Sequence, residues 1–187
     1  MSFNPQDNTS TQRDFAIPDE GMTLARLSRI IELGTQVDQW GEKKKVVLFY
    51  SLPFQTIEVD GDEKQMMIRS KAMKISAWRD GQRKSGLLDH TDALSKDSTS
   101  FDDLLGKPCM LNIIHNKSVD GTKTYANIAS ITPVMQGQEV PEPDIDMYYF
   151  DFYNPTQEVW DQLSEYNQGV IKEAKDYPGS TLEGIVE

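Results

Sequence analysis

The order in which extended runs and one short helix follow each other constrains this chain more than any other feature. The clearest run spans 45–52. Val46, Leu48, Tyr50 and Leu52 alternate there with Val47, Phe49 and Ser51, so both faces of that strand call for cover. Pro53 cannot donate to a ladder and predicts the end of the strand. After the turn Asp60-Gly61-Asp62 a further run covers 64–78, with Met66 and Ile68 on one parity and Met73, Ile75 and Ala77 on the other. A parity swap without a turn is what a β-bulge produces, and it is expected near 70–72. With that bulge, Arg69, Lys71, Lys74, Ser76 and Trp78 share the face away from the core. Two last runs, 109–116 and 123–132, flank the hairpin signal Val119-Asp120-Gly121-Thr122.

The remaining segments set the topology. Residues 79–100 are polar and read as loop. Ser100 then caps a short helix, with Asp102 and Asp103 in its first turn and Gly106 and Pro108 ending it. Residues 22–34 are ambiguous. Leu24, Leu27, Ile30 and Ile31 have helical spacing, whereas Ile30-Ile31 between Gly21 and Gly34 also permits a bent strand. Taken as a strand, they complete the order strand, strand, strand, helix, strand, strand. That is the connectivity of the OB-fold, a mainly β, five-stranded Greek-key barrel with a short helix between strands 3 and 4.

The domain so defined covers 21–135. Residues 1–20 are polar and read as a flexible leader without the apolar stretch of a secretory signal. Residues 136–187 form an acidic C-terminal extension with a helix at about 155–175. Asn154 caps that helix, with Pro155 at its first position and Gln157 three residues after the cap. Val159, Trp160, Leu163, Tyr166, Val170, Ile171 and Ala174 then fall on one stripe.

An overall charge of −11 argues against a nucleic-acid partner, but the average conceals a partition. Residues 43–100 are net +3, while 136–187 carry 12 acids against 2 bases. A neutral-to-basic body is joined to a strongly acidic end. One cysteine and two histidines exclude a Cys/His structural zinc site, and no internal disulfide is available. No apolar run reaches the ~18 residues of a membrane span.

No catalytic constellation emerges, and no cofactor is expected. Cys109 and His115 share a strand face but stand about 20 Å apart at ~3.3 Å per residue, too far for a nucleophile–base pair. Gly81 to Gly86 has phosphate-loop spacing but continues with Leu87-Leu88, where Lys-Ser/Thr is needed. Asp19 followed by Glu42-Lys43-Lys44 superficially matches a metal-dependent nuclease; solvated loop charges explain that pattern better.

Cations beside aromatic rings form the stronger pattern. Trp40 with Lys43, Lys44 and Lys45 lies in the first inter-strand loop. Arg69, Lys71, Lys74 and Trp78 lie on the third strand, and Lys123 and Tyr125 on the fifth. Single strands bind where cations track phosphates and rings stack on bases, and OB-folds use the strand 2–3 face and these loops. Solvation and edge protection explain the lysines equally well, and Trp78 and Tyr125 could be core residues. Asn112, His115 and Asn127 could add polar contacts or serve turns and the interior.

Leu104-Leu105-Gly106-Lys107-Pro108-Cys109-Met110-Leu111-Asn112-Ile113-Ile114-His115-Asn116, followed by 123–133 with Tyr125-Ala126-Asn127-Ile128, resembles a bacteriophage OB-fold family regarded as single-stranded DNA-binding proteins. Ala25-Arg26-Leu27 through Gln36 is similar to that family's first strand. The resemblance, over about 15–135, implies a β reading of 22–34, the OB-fold and binding of single-stranded DNA. It transfers no catalytic residue. It implies a non-enzymatic role in phage DNA replication or recombination in the cytoplasm of the bacterial host, with self-association on DNA a further expectation.

The tail departs most from a plain DNA binder. Tyr148, Tyr149, Phe150, Phe152 and Tyr153 form an aromatic cluster around Asp151 within this acidic segment, combining acids and rings that imitate the charge and π-faces of a single strand. The segment could occupy the DNA groove and then recruit a polymerase, helicase or recombinase, through Trp160 and Leu163. Alternatively its helix packs permanently on the barrel. The competing reading of the whole chain is an acidic interaction or DNA-mimic module.

Overall fold

A computed structural model describes residues 16–75 and 86–186. The protein is mainly β, with a seven-stranded sheet. β1 (Gly21–Asp38), β2 (Gly41–Val59), β3 (Asp62–Arg69), β5 (Pro108–Lys117) and β6 (Thr124–Thr132) pair antiparallel in the order β3-β2-β1-β5-β6. β4 (Met73–Lys74) adds to β2, and β7 (Tyr148–Phe150) runs parallel to β1. The sheet is open: its terminal strands β3 and β6 touch, but no ladder joins them among the described residues.

Residues 22–34 are strand, as the β reading expects. Two irregularities bend β1, and Gly34 at the second has φ +68°, a conformation that favours glycine. The bulge expected near 70–72 is present: the register advances by one residue between Arg69 opposite Phe49 and Met73 opposite Val46. It splits the third run into β3 and β4. The hairpin closes as expected, its turn held by the Asp120 carboxylate, which accepts from the Ser118 hydroxyl and Thr122 N–H.

Three local expectations need correction. β2 does not stop at Pro53, because a register shift between Leu52 and Thr56 takes the proline out of the ladder. Residues 86–94, read as loop, form α1 (Gly86–Leu94), whose Leu87, His90, Thr91 and Leu94 are buried as one face despite the intervening acids. The short helix expected after Ser100 is a single 3-10 turn at Asp102–Leu104 with Phe101 at its N-cap; the Ser100 hydroxyl still accepts from the Asp102 N–H (3.2 Å).

Side chains from the two faces of β1–β2 enter two cores. Leu27, Ile30, Val46, Leu48, Tyr50 and Leu52 fill the inner one, with Leu111, Ile113, Leu87 and Phe101. Ile31, Leu33 and Val47 enter the outer one, which the C-terminal segment closes with Phe150, Phe152, Trp160, Leu163 and Ile171. That segment is laid along the sheet before it docks. Arg26 grips the Val140 and Gly106 carbonyls (2.6 and 2.7 Å), and the Gln65 N–H donates to Asp144 (2.9 Å).

The expected single helix over 155–175 is two, α2 (Gln157–Asp161) and α3 (Glu165–Lys172), followed by α4 (Glu183–Val186). Asn154 does not cap, because Asp151 holds its backbone N–H and side-chain amide. Thr156 caps α2, and Ser164 restarts the chain as α3.

Candidate nucleic-acid interface

Alternate residues of a strand share a face, and on β2 the set Lys43, Lys45, Val47 and Phe49 begins cationic and ends apolar. Val47 and Phe49 belong to the outer core, so Lys43 and Lys45 extend the same face past its edge. Register then decides their neighbours. Lys74 stands directly opposite Lys45, and Arg69 directly opposite Phe49. A cationic strip therefore runs along the outer face of β3–β4, beside the C-terminal module. At its far end Trp40 sits 76% exposed in the β1–β2 turn, its backbone N–H on the Asp38 carboxylate (2.8 Å). From Phe49 back to Gly41, β2 spans about 26 Å at ~3.3 Å per residue.

The strip is only partly neutralised. Asp38 meets Lys45 Nζ at 3.0 Å and Lys43 Nζ at 3.4 Å. The Lys45 ammonium first, and then the Trp40 N–H, hold that carboxyl below its ordinary range. Lys74 is exposed, with no carboxylate partner among the described residues. Like charges directly opposite each other destabilise a sheet, and Asp38 answers only the Lys45 side of this pair, so among the described residues the Lys74 charge is left without a counter-charge. Arg69 lies 6.0 Å from the Phe49 ring centre and 5.4 Å from that of Tyr166, on α3.

Trp40, Lys43, Lys45, Arg69 and Lys74 are thus brought together, and the other sequence candidates are not. Lys44 falls out of that alternation and sits 4.2 Å above the Tyr153 ring of the C-terminal segment, a contact that raises its pKa. Lys71 sits in the bulge, on the rim of a cleft of about 580 Å³ floored by Met73, Ile128 and Ile131. Trp78 lies outside the described residues.

Lys123, Tyr125, Asn112 and Asn127 belong to the β5–β6 hairpin, which pairs with the beginning of β1, whereas Trp40 follows its end. Tyr125 is 50% exposed there, so it is not core. The Asn127 amide donates to Asn116 across the ladder (3.0 Å), and the His115 ring N–H donates to the Pro18 carbonyl (2.7 Å), fastening the segment before β1.

The tail aromatics are corrected most. Tyr148, Phe150, Phe152, Trp160 and Leu163 are buried, because the apolar outer face of β1–β2 needs them as cover; none is free for a partner or a groove. Tyr149 packs against the inner core and donates to Glu32 (2.7 Å), whose carboxyl burial pushes up in pKa. Tyr153 donates to Asp176 (3.0 Å), and Asp176 also takes the Thr35 N–H (2.7 Å) and hydroxyl (2.8 Å) beside Gly34. Burial works against Asp176, but these donors together hold its carboxyl below the ordinary value.

Tyr166 is the functional candidate that sequence reasoning missed. It falls on the helical stripe with Leu163 and Val170, yet it is 64% exposed, because the break at 162–164 reorients α3.

The chemistry set aside from the sequence gains no geometry. Asp19 precedes β1, whereas Glu42 stands opposite Val37 at its other end and pairs with Lys175. Cys109 is buried, which pushes its thiol pKa well up and keeps it inert. Among the described residues no helix is long and apolar enough to cross a membrane. A scan against protein-family models finds no match for the chain, and a search of curated proteins finds none either.

Proposed function

We propose that the protein is a non-enzymatic binder of single-stranded DNA, largely indifferent to base sequence, with the strip from Trp40 through Lys43, Lys45 and Lys74 to Arg69 as its track. The carrying observation is Lys74, an exposed ammonium that stands opposite Lys45 in the ladder with no carboxylate partner among the described residues, between two aromatic positions. Phosphates would supply the missing counter-charge, and an exposed indole offers a stacking surface that every base can use. The strand order β3-β2-β1-β5-β6, with α1 and the 3-10 turn between β4 and β5, supports an OB-type barrel whose lips are β3 and β6. Together with the resemblance of 104–133, this favours a role in phage DNA replication or recombination in the bacterial cytoplasm.

A salt-series titration with single- and double-stranded oligonucleotides tests the reading. Three or four cations on one strand should give a slope of roughly −2 to −3 in log K against log[salt], with weaker duplex binding. The alternative, an acidic interaction or DNA-mimic module, draws on the exposed acids Glu158, Asp161, Glu165 and Glu173 of the C-terminal helices. It requires that no oligonucleotide be retained.

A further inference from the structure

Among the described residues, three arginines lie on the outer side of the sheet, and two of them are committed. Arg26 spends its donors on the Val140, Pro141 and Gly106 carbonyls and on Glu142 (3.0 Å). Arg29 donates to the Asp146 carbonyl (3.3 Å) and lies 5.0 Å from the Tyr148 ring centre, inside the docked segment. Arg69 differs. It makes no ion pair among the described residues, its Nε is buried without a hydrogen-bond partner, and its neighbours are the rings of Phe49 and Tyr166. A guanidinium held by rings alone, with its Nε closed off, keeps its terminal Nη donors unspent, and these suit a phosphate.

Tyr166 completes the arrangement from the other chain segment. It stands in the first turn of α3, which Ser164 caps, so its backbone is fixed while its ring is 64% exposed. No hydrogen bond occupies its hydroxyl among the described residues. One side of the ring meets Arg69, and the rest is open beside the cationic strip.

We infer that Tyr166 and Arg69 form one composite subsite for a nucleotide of single-stranded DNA, Tyr166 stacking on the base and Arg69 holding the adjoining phosphate. The C-terminal module is therefore part of the binding surface and not its competitor. The inference rests on the single-strand reading and deepens it: the acidic end of the chain supplies a wall of the track, and Phe49, anchored in the outer core, sets the position of Arg69.

The test is fluorescence titration of the full chain with a thymidine oligonucleotide, comparing wild type, Tyr166→Ala, Tyr166→Phe, Arg69→Ala, the Tyr166→Ala/Arg69→Ala double variant and Trp40→Ala. Thermal unfolding is recorded for each. Tyr166→Ala should weaken binding about 5- to 150-fold, which corresponds to ~1–3 kcal/mol per stacked base. Tyr166→Phe should bind like wild type, because stacking needs the ring and not the hydroxyl. The double variant should lose less than the two single losses combined, as residues acting in one subsite do. Unfolding temperatures of both Tyr166 variants should match wild type. Tyr166→Ala binding within twofold of wild type, while Trp40→Ala is weakened, would overturn the composite subsite and leave the single-strand reading standing. A wild-type protein that binds no oligonucleotide at all would overturn both.

Discussion

Two neighbouring patches on the outer side of one sheet meet opposite fates. On β1–β2, Ile31, Leu33 and Val47 are apolar, and the C-terminal segment covers them with Phe150, Phe152 and Trp160. On β2–β4, Lys74 stands opposite the Asp38-bonded Lys45 and stays exposed beside that cover. Burial of apolar area drives the first. Desolvating the Lys74 ammonium, which has no counter-charge among the described residues, would forbid it for the second. Net charge therefore misleads as a guide to role in this chain: its most acidic stretch is structural cover, and an excess of a few positive charges marks the strip proposed as the track.

The largest effect that should break this comparison comes from Gly34. A Cβ there would stand 2.6 Å from the Phe152 ring, 2.8 Å from the Ala174 Cβ and 2.8 Å from the Asp176 carboxylate, on a backbone at φ +68°. Gly34→Ala should cost about 2–5 kcal/mol, combining left-handed strain with overpacking. Chemical denaturation with a hydrophobic dye should show the outer core opening first. An unchanged midpoint would mean that the module is not seated on β1 as described.

Acid should separate the two cores next. His90 is buried in the inner one, its Nδ1 2.7 Å from the Tyr50 hydroxyl, and burial lowers its pKa to about 4, with Asp89 opposing. The unfolded chain therefore binds the extra proton between pH ~6.5 and ~4, so stability is full above that window and falls as pH drops through it, by up to about 3 kcal/mol. His90→Gln should be less stable at neutral pH but should lose that slope. A wild-type stability that is flat from pH 6.5 to 4 would contradict a neutral buried His90.

The β elements were largely legible, and for definite reasons. A parity change at 70–72 has no explanation but an extra residue, and Asp120-Gly121 permits little besides a turn. The double-sided apolar pattern of Val46 to Leu52 already announced a cover for the outer face, but its source was hidden. Tyr148 to Tyr153 holds five rings around the single acid Asp151, and only the pairing of β7 with β1 shows which rings turn inward. Similarly, α1 is short, and Asp89 and Asp92 dilute its apolar face. Within the candidate site, Lys43, Lys45, Arg69 and Lys74 were legible individually, whereas their shared face depends on long-range register. Tyr166 was hidden because helical spacing assumes an unbroken helix, and Ser164 restarts it.

The smallest expected effect is the sharpest in sign. Lys74→Glu exchanges a like-charge cross-strand pair for an opposite-charge one, so it should stabilise the fold by about 0.2–1 kcal/mol. It should also weaken oligonucleotide binding and reduce the magnitude of the salt slope by at least ~0.7. Gains in stability with unchanged affinity would remove Lys74 from the track.

The central claim is that single-stranded DNA lies on the open strip and not on the covered face. Ultraviolet crosslinking of the full chain to a thymidine oligonucleotide, followed by peptide mapping, addresses it most directly. Adducts should concentrate on peptides containing Trp40 and Tyr166 and spare Tyr148 to Phe152. Adducts centred on Tyr148 to Phe152, or on Tyr125 at the opposite end of β1, would contradict it.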